Sequence, residues 1–173
     1  DVSVDFNFGF NDDGQGDLFA SHFNDKNNDN IHNALSLKLI IEYLKPIFEE
    51  DSIKKCGQNI KFDAYILKRK GINLYPITFD SMVASYLLNP DEQHNLDALS
   101  KKWLNYSPIP ISRLIGEKKS KQISMKELKP EQIFNYACED ADLALRLKNI
   151  LEKELTKEKL SDLADDVEFP LIN

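Results

Sequence analysis

The sequence predicts an α/β domain in which short strands alternate with helices. Apolar residues recur at helical spacing in several segments, and short apolar segments between them have the length of strands. The composition supports a globular domain, since 42% of the 173 residues are hydrophobic and 29% are charged. These values exclude collagen-like, low-complexity and wholly disordered proteins.

The first third of the chain predicts a hairpin, a loop and a helix. Valine and phenylalanine alternate with polar residues over positions 2–10, and Asn11–Gly16 is rich in turn-forming residues. A second short apolar run at 17–23 completes the predicted β-hairpin. The Asn/Asp-rich stretch at 24–30 predicts an exposed loop. Leucine, isoleucine and aromatic residues at helical spacing then predict an amphipathic helix over 35–48, with Pro46 in its last turn.

The central part predicts two strands, each followed by a helix. A strand over 53–58 leads into a helix over 59–70, which Gly71 ends. A second strand over 72–79 is interrupted by Pro76. Asp80 is the predicted N-cap of a helix over 81–88, which stops before Pro90, and a further helix covers 95–104.

The last third is predicted to be helical after a mobile connection. Residues 107–124 contain two prolines and a lysine-rich stretch, which indicate that connection. Pro130 is well suited to the first position of a long helix that reaches about Leu155. The remaining segment, 157–173, is acidic.

Charge and cysteine content narrow the class of protein. A net charge of −7 argues against a nucleic-acid coat protein, but it is compatible with a nuclease, whose metal site is itself acidic. The two cysteines, Cys56 and Cys138, are too few for a disulfide framework and favour a reducing, cytoplasmic setting. No apolar run approaches the roughly 20 residues of a membrane span. A first residue of Asp rather than Met predicts a piece of a longer chain.

Two places carry candidate catalytic residues. At the first, Gly57–Asp63, a predicted strand runs into a predicted helix and places Asp63 on the first turn of that helix. At the second, Tyr136 and Asp140 are four residues apart in the long helix and so share a face that is otherwise apolar. A carboxylate on an apolar face needs a cation or a hydrogen-bond donor. The alternative is that Asp63 merely complements the helix dipole and Asp140 is solvated.

These two places resemble known motifs. Asn59-x-x-Phe62-Asp63 and Tyr136-x-x-x-Asp140 are similar to the second and third motifs of the DEDD-type 3′–5′ exonucleases, tyrosine subclass. Residues 36–173 resemble the proofreading domain of bacterial DNA polymerase I, a family A polymerase, and chain positions 1–173 are accordingly predicted to form one exonuclease domain. The other segments that carry the resemblance are Lys54–Asp63, Phe79–Met82, Tyr86–Leu88, His94–Asp97, Ile115-Gly116, Tyr136–Asp142 and Glu168–Leu171.

The resemblance implies a fold, two metal ions and roles for individual residues. The implied fold is RNase H-like, a five-stranded mixed sheet flanked by helices. Two divalent ions, Mg²⁺ or Mn²⁺, would be held by four carboxylates that include Asp63 and Asp140, and Tyr136 would orient the attacking water. The implied DNA-binding residues lie where the predicted strand meets the predicted helix: Gln58, Asn59, Lys61 and Phe62.

The first motif of the family, Asp-x-Glu on the first strand, is not found at a strand in this sequence. Val4–Asn7 contains one acid, Asp5, which is a weak candidate because Asn7 stands where the glutamate is expected. Asp166-Val167-Glu168 has the pattern but a helix-to-loop context. Residues 2–23 fit the second and third strands better, so the first strand is predicted to be missing or degenerate.

Three functions are compatible with these observations. The first is a proofreading domain that removes the 3′ nucleotide of single-stranded or frayed DNA, as a monomer with a polymerase domain in cis. The second is a nuclease-inactive scaffold domain, and the third is a stand-alone RNA 3′ exonuclease, against which the Glu168–Leu171 ending argues. Basic residues that could contact nucleic acid are Lys68, Arg69, Lys70, Lys101, Lys102 and the lysines of 118–121.

Overall fold

The computed structural model describes residues 36–117 and 122–172. The predicted hairpin at 2–23, with Asp5, lies outside these residues. The helices and strands of the described part are α1 Leu37–Phe48, β1 Lys55–Gly57, α2 Ile60–Arg69, β2 Ile77–Asp80, α3 Ser81–Leu88, α4 Leu96–Leu104, α5 Ser112–Ile115, α6 Pro130–Lys157 and α7 Ser161–Leu163. A 3-10 turn at Met125–Glu127, a π-helical turn at Ala164–Glu168 and a 3-10 turn at Pro170–Ile172 complete it.

The described part is a helix-rich α/β structure with a small parallel sheet. β1 and β2 pair in parallel, with Lys55 opposite Ile77 and Gly57 opposite Asp80, and α2 connects them. The five-stranded sheet that the resemblance implies stays a prediction, since the described residues contain these two strands.

The predicted strand over 72–79 is wrong for residues 72–76. Ile72 donates its N–H to the carbonyl of Leu67 and so still belongs to the end of α2. Pro76 has no N–H with which to continue a ladder, although its carbonyl accepts from Lys55 at 2.9 Å. The strand therefore begins only at Ile77.

The helix starts follow from local capping chemistry. Asp80 caps α3 by accepting from the N–H groups of its first turn, and Asn95 caps α4 by accepting from Ala98 at 2.8 Å. Pro130 occupies the first turn of α6, where its missing N–H costs nothing. The predicted helix over 81–88 is confirmed with the same bounds, and those over 95–104 and 130–155 are confirmed with one bound each that differs by one or two residues.

The core lies on the second half of α6. Its buried residues are Leu143, Ala144, Leu147, Leu151 and Leu155, which form a stripe at helical spacing. This stripe packs against β1, α3 and α4. Phe79 of β2 contacts Phe169, with ring centroids 5.0 Å apart. The first half of α6, residues 130–142, has no buried residue.

The connection predicted to be mobile is partly folded. It contains α5, and Ile123 donates its N–H to the carbonyl of Ile115 at 3.0 Å. Ser124 and Glu127 then form a reciprocal capping box at the 3-10 turn. Within the described ranges, no helix combines the length and the apolar character that a membrane span requires.

Candidate functional site

A buried carboxylate organises the point where both strands end. Asp80, the last residue of β2, is 2% exposed. Its Oδ1 accepts from the N–H groups of Asn59 at 3.1 Å, Met82 at 2.8 Å and Val83 at 3.3 Å, and its Oδ2 accepts from Ile60 at 2.8 Å. One side chain therefore satisfies the N-termini of α2 and α3 together and joins the two helices at the carboxyl end of the sheet.

The turn before α2 needs its particular residues. Asn59 has φ +55°, in the left-handed region that asparagine tolerates better than most residues. A Cβ at Gly57 would lie 3.0 Å from the Cβ of Ile60, so any larger residue there would force the turn to move. These constraints fix the direction in which α2 begins, and Asp63 lies in its first turn.

Asp63 is half-buried, and among the described residues no cation offsets its charge. Burial raises the pKa of its carboxyl from 3.8 to about 6, and the negative charge of Asp80 adds to the rise. No lysine or arginine is among the groups that shift this pKa. A cation bound close to Asp63 would therefore stabilise the ionised carboxylate.

The structure brings Tyr136 and Asp140 together on α6, as the four-residue spacing predicts. Burial raises the pKa of Asp140 to about 6, a hydrogen bond from Tyr136 lowers it, and the charges of Glu139 and Asp97 raise it. The pKa of Tyr136 is raised above its usual value, first by burial and then by the charge of Asp140 and the hydrogen bond to it. The Tyr136 hydroxyl therefore keeps its proton at neutral pH.

Glu139, the neighbour of Asp140, braces α6 against the loop that follows α4. Its Oε1 accepts from the hydroxyl of Tyr106 at 2.5 Å, and its Oε2 accepts from the N–H of Ile109 at 2.7 Å. Glu139 thus ties this loop to α6 through two charge-assisted hydrogen bonds.

Asp97 belongs to this region, and sequence reasoning gave it no role. It lies on the first turn of α4, and its charge raises the pKa values of both Tyr136 and Asp140. It also lines a cleft of about 590 Å³. The available signal was its place in the His94–Asp97 segment, but its proximity to α6 follows from helix packing. The lining residues of the cleft are Gln93, Asn95, Asp97, Ala98, Lys101 and Lys102.

The two candidate metal ligands lie in different electrostatic surroundings. Neither Asp63 nor Asp140 is among the charges that shift the pKa of the other. Within residues 36–117 and 122–172, no group of three or more His, Cys, Asp or Glu side chains could hold a metal ion. Asp166 and Glu168 lie in the π-helical turn rather than on a strand, as expected. Metal binding by Asp63 and Asp140 stays a prediction.

The predicted DNA-binding residues differ in how they are engaged. The side-chain amide of Gln58 donates to the carbonyl of His94 at 2.6 Å. The ammonium of Lys61 donates to the carbonyl of Leu171 at 2.8 Å, which ties α2 to the last turn of the described chain. Asn59 is exposed and Phe62 is half-buried. Their contacts with DNA stay predictions.

A family comparison decides the class of protein. The model of a 3′–5′ exonuclease family matches residues 11–156, which include Asp63, Tyr136 and Asp140. The chain belongs to this exonuclease family. The resemblance on which the motifs of residues 59–63 and 136–140 were interpreted is thereby confirmed.

Relatives place this exonuclease with those of DNA polymerase I. The DNA polymerase I of Borreliella burgdorferi is 37% identical over 131 residues, which are 76% of this chain and 14% of that protein. The DNA polymerase I of Rhizobium leguminosarum is 32% identical over 160 residues, 92% of this chain and 15% of that protein. That of Pseudomonas aeruginosa is 34% identical over 137 residues, 77% of this chain and 15% of that protein. The exonuclease chain thus spans about a seventh of these relatives, and it is an exonuclease domain of the DNA polymerase I type.

A solved structure shares the fold. The POL domain of Pol1 from M. smegmatis, in complex with DNA primer-template and dNTP, superimposes with a TM-score of 0.53 at 21% identity. The match covers 75% of the exonuclease chain and 19% of that chain. At this identity the likeness concerns the arrangement of helices and strands alone.

Proposed function

We propose that residues 1–173 form the proofreading domain of a DNA polymerase I, with the polymerase domain in cis. The domain removes the 3′-terminal nucleotide of single-stranded or frayed DNA, because unpairing costs least at a mismatched end. The observation that carries the proposal is the Tyr136–Asp140 pair, half-buried on α6, in a chain that the exonuclease family matches over residues 11–156.

The donor chemistry fits divalent ions. Asp63 and Asp140 offer hard oxygen ligands, and burial together with neighbouring negative charges raises the pKa of each carboxyl. A bound cation would offset that cost. These two residues would hold Mg²⁺ or Mn²⁺, with the remaining carboxylates supplied from outside the described residues. When bound, such ions supply the positive charge that a reacting phosphodiester requires.

The chain's own residues bind and orient the reactants in this proposal. The protonated hydroxyl of Tyr136 donates to Asp140 and can at the same time accept from a water molecule, which it thereby orients. Asn59, Lys61 and Phe62 lie at the start of α2, within one turn of Asp63, where they would meet the terminal nucleotide. Gln58 lies on the same turn.

A nuclease-inactive scaffold is the second candidate, and one observation favours it. The sequence lacks an Asp-x-Glu pair at a predicted strand, so two of the four implied carboxylates have no assigned residue. A stand-alone RNA exonuclease is disfavoured, since the chain resembles DNA polymerases over 76% and 92% of its length. The monomeric state and the cytoplasmic setting stay predictions.

The deciding experiment measures the release of 3′ nucleotides from a 5′-labelled primer. Matched, mismatched and RNA 3′ ends are compared, with Mg²⁺, with Mn²⁺ and with EDTA. Asp140→Ala is expected to reduce metal-dependent release from mismatched DNA about 10³-fold, which corresponds to about 4 kcal/mol. Its free energy of unfolding without metal should be unchanged or higher, because a buried acid without a cation destabilises the fold.

The outcomes separate the candidate functions. Full activity of Asp140→Ala would contradict the assignment of Asp140. An inactive but folded wild-type protein indicates the scaffold function, and a preference for RNA ends indicates the third function.

A further inference from the structure

Both ends of the Gln58 side-chain amide are engaged by protein groups. Its Nε2 donates to the backbone carbonyl of His94 at 2.6 Å, and its Oε1 accepts from the hydroxyl of Ser81. A carbonyl oxygen can only accept, so the NH₂ end must face His94 and the oxygen must face Ser81. The orientation of the amide is thus fixed by its partners.

The Ser81 partner is deeply buried. Ser81 is 0% exposed, and its hydroxyl also lies 3.1 Å from the carbonyl oxygen of Gly57. Because a hydroxyl carries one proton, it can donate to one of these two oxygens at a time. If Gln58 turned outwards, Ser81 could still donate to the Gly57 carbonyl, but the His94 carbonyl would lose the donor that Gln58 provides. The loss of that hydrogen bond is the cost that holds Gln58 in place.

The His94 partner lies at the start of α4. The His94 ring is held from the other side by Ser85, whose Oγ lies 2.9 Å from Nδ1, and by the ring of Tyr86 at 5.4 Å. The next residue, Asn95, is the N-cap of α4. The hydrogen bond from Gln58 is therefore made to the residue just before the N-cap of α4 and ties the start of that helix to the end of β1.

The start of α4 faces the candidate catalytic residues. α4 packs against α6, and Asp97 of its first turn acts electrostatically on Tyr136 and Asp140. We propose that Gln58 is a positioning residue that fixes the start of α4 as a wall of the exonuclease site, rather than a residue that contacts DNA. The inference rests on the proposed exonuclease function and adds a role that acts through Ser81 and His94.

The test compares kcat and KM for a single-stranded DNA substrate in the complete protein. If Gln58 positions α4, Gln58→Ala and Ser81→Ala each lower kcat about tenfold with KM changed less than twofold, since misplaced groups slow the reaction itself. The double variant is then no slower than either single variant, because both break the same bridge. A direct DNA contact instead raises KM for Gln58→Ala alone, adds to the effect of Ser81→Ala, and overturns the proposal.

Two further variants control for folding. Gln58→Glu keeps the acceptor for Ser81 and replaces the donor to His94, so it breaks half of the bridge and should lower kcat like Gln58→Ala. Ser100→Ala removes another 0% exposed serine, whose hydroxyl has no partner among the described residues, and should leave kcat unchanged. A kcat loss in Ser100→Ala equal to that in Ser81→Ala would mean that any buried serine has this effect, and would overturn the proposal.

Hydrogen exchange distinguishes failure of this inference from failure of the proposed function. The N–H groups of Ala98 and Leu99 both bond to Asn95, so they report whether the start of α4 is held. Both should exchange faster in Gln58→Ala and Gln58→Glu, whether or not the wild-type protein is a nuclease. Unchanged exchange would overturn the positioning role, and an inactive wild type with faster exchange in the variants would overturn only the exonuclease function.

Discussion

Two regions of the molecule place a carboxylate in opposite surroundings. At the carboxyl end of the sheet, Asp80 is 2% exposed and accepts four backbone N–H groups. On α6, Asp140 is half-buried and accepts from Tyr136, while Glu139 and Asp97 oppose its charge. Asp80 joins two helices, whereas Asp140 lies beside two other acids, and burial raises its pKa to about 6. At Asp140, burial and the charges of Glu139 and Asp97 outweigh the single hydrogen bond from Tyr136, whereas Asp80 accepts four N–H groups.

The largest effect is expected at the structural acid. Asp80→Ala leaves four N–H groups at two helix N-termini without their acceptor, and should lower the free energy of unfolding by about 3–4 kcal/mol. Asp80→Asn is the matched control: its oxygen can still serve Asn59, Met82 and Val83, and it fails Ile60 alone, so its loss should be about half as large. Urea unfolding of both variants measures this. A loss under about 1 kcal/mol for Asp80→Ala would contradict the structural role of Asp80 on which the comparison with Asp140 rests.

A smaller effect is expected at the tyrosine. Tyr136→Phe removes the hydroxyl that we propose orients water while it leaves the ring and Asp140 in place, and should lower kcat about 10- to 10³-fold. Nucleotide release from a mismatched primer at saturating Mg²⁺ measures it. If Tyr136→Phe is as inactive as Asp140→Ala, the hydroxyl does more than orient water.

The smallest effect is a pH-dependent gain in stability. The folded chain binds the Asp140 proton more tightly than the unfolded chain does, since the folded pKa is about 6 against 3.8. Stability should thus fall as pH rises from 4 to 6. Asp140→Asn removes this loss, at most about 3 kcal/mol and about 1 kcal/mol after solvent screening at a half-exposed site.

Thermal or urea unfolding in EDTA at pH 4 and pH 8 tests this gain. Asp140→Asn should equal the wild type at pH 4 and exceed it at pH 8, and Mg²⁺ should narrow the difference by stabilising the wild type. A variant less stable than the wild type at pH 8 in EDTA would show that the Asp140 anion is compensated by groups outside the described residues.

The same contrast shows how far the sequence leads. The N-cap role of Asp80 for α3 is local, and the sequence predicts it. Its bonds to Asn59 and Ile60 join positions 21 and 20 residues away and exist only because β1 and β2 pair in parallel. In the same way, the spacing of Tyr136 and Asp140 follows from one helix, whereas the proximity of Asp97 depends on the packing of α4 against α6.

The hydrogen-bond partners of side chains were the least predictable property. The resemblance assigns Gln58 and Lys61 to DNA, yet both donate to backbone carbonyls 36 and 110 residues further along the chain. Such long-range partners leave no periodic signal in a single sequence. The prediction of a strand over 72–76 was wrong for a local reason: the N–H of Ile72 bonds to Leu67 at the end of α2.

The burial of α6 is unequal: its second half packs in the core, and its first half extends beyond the core. Within the described residues its anchored part begins at Leu143, and Tyr136 lies seven residues out, about 10 Å along the axis. A tilt of about 5° about Leu143 would carry Tyr136 by about 1 Å, a displacement that can slow an enzymatic reaction about 100-fold. The two hydrogen bonds of Glu139 to Tyr106 and Ile109 lie between Tyr136 and Leu143 and oppose that tilt. The loop after α4 thus helps to hold Tyr136 in position through these two bonds.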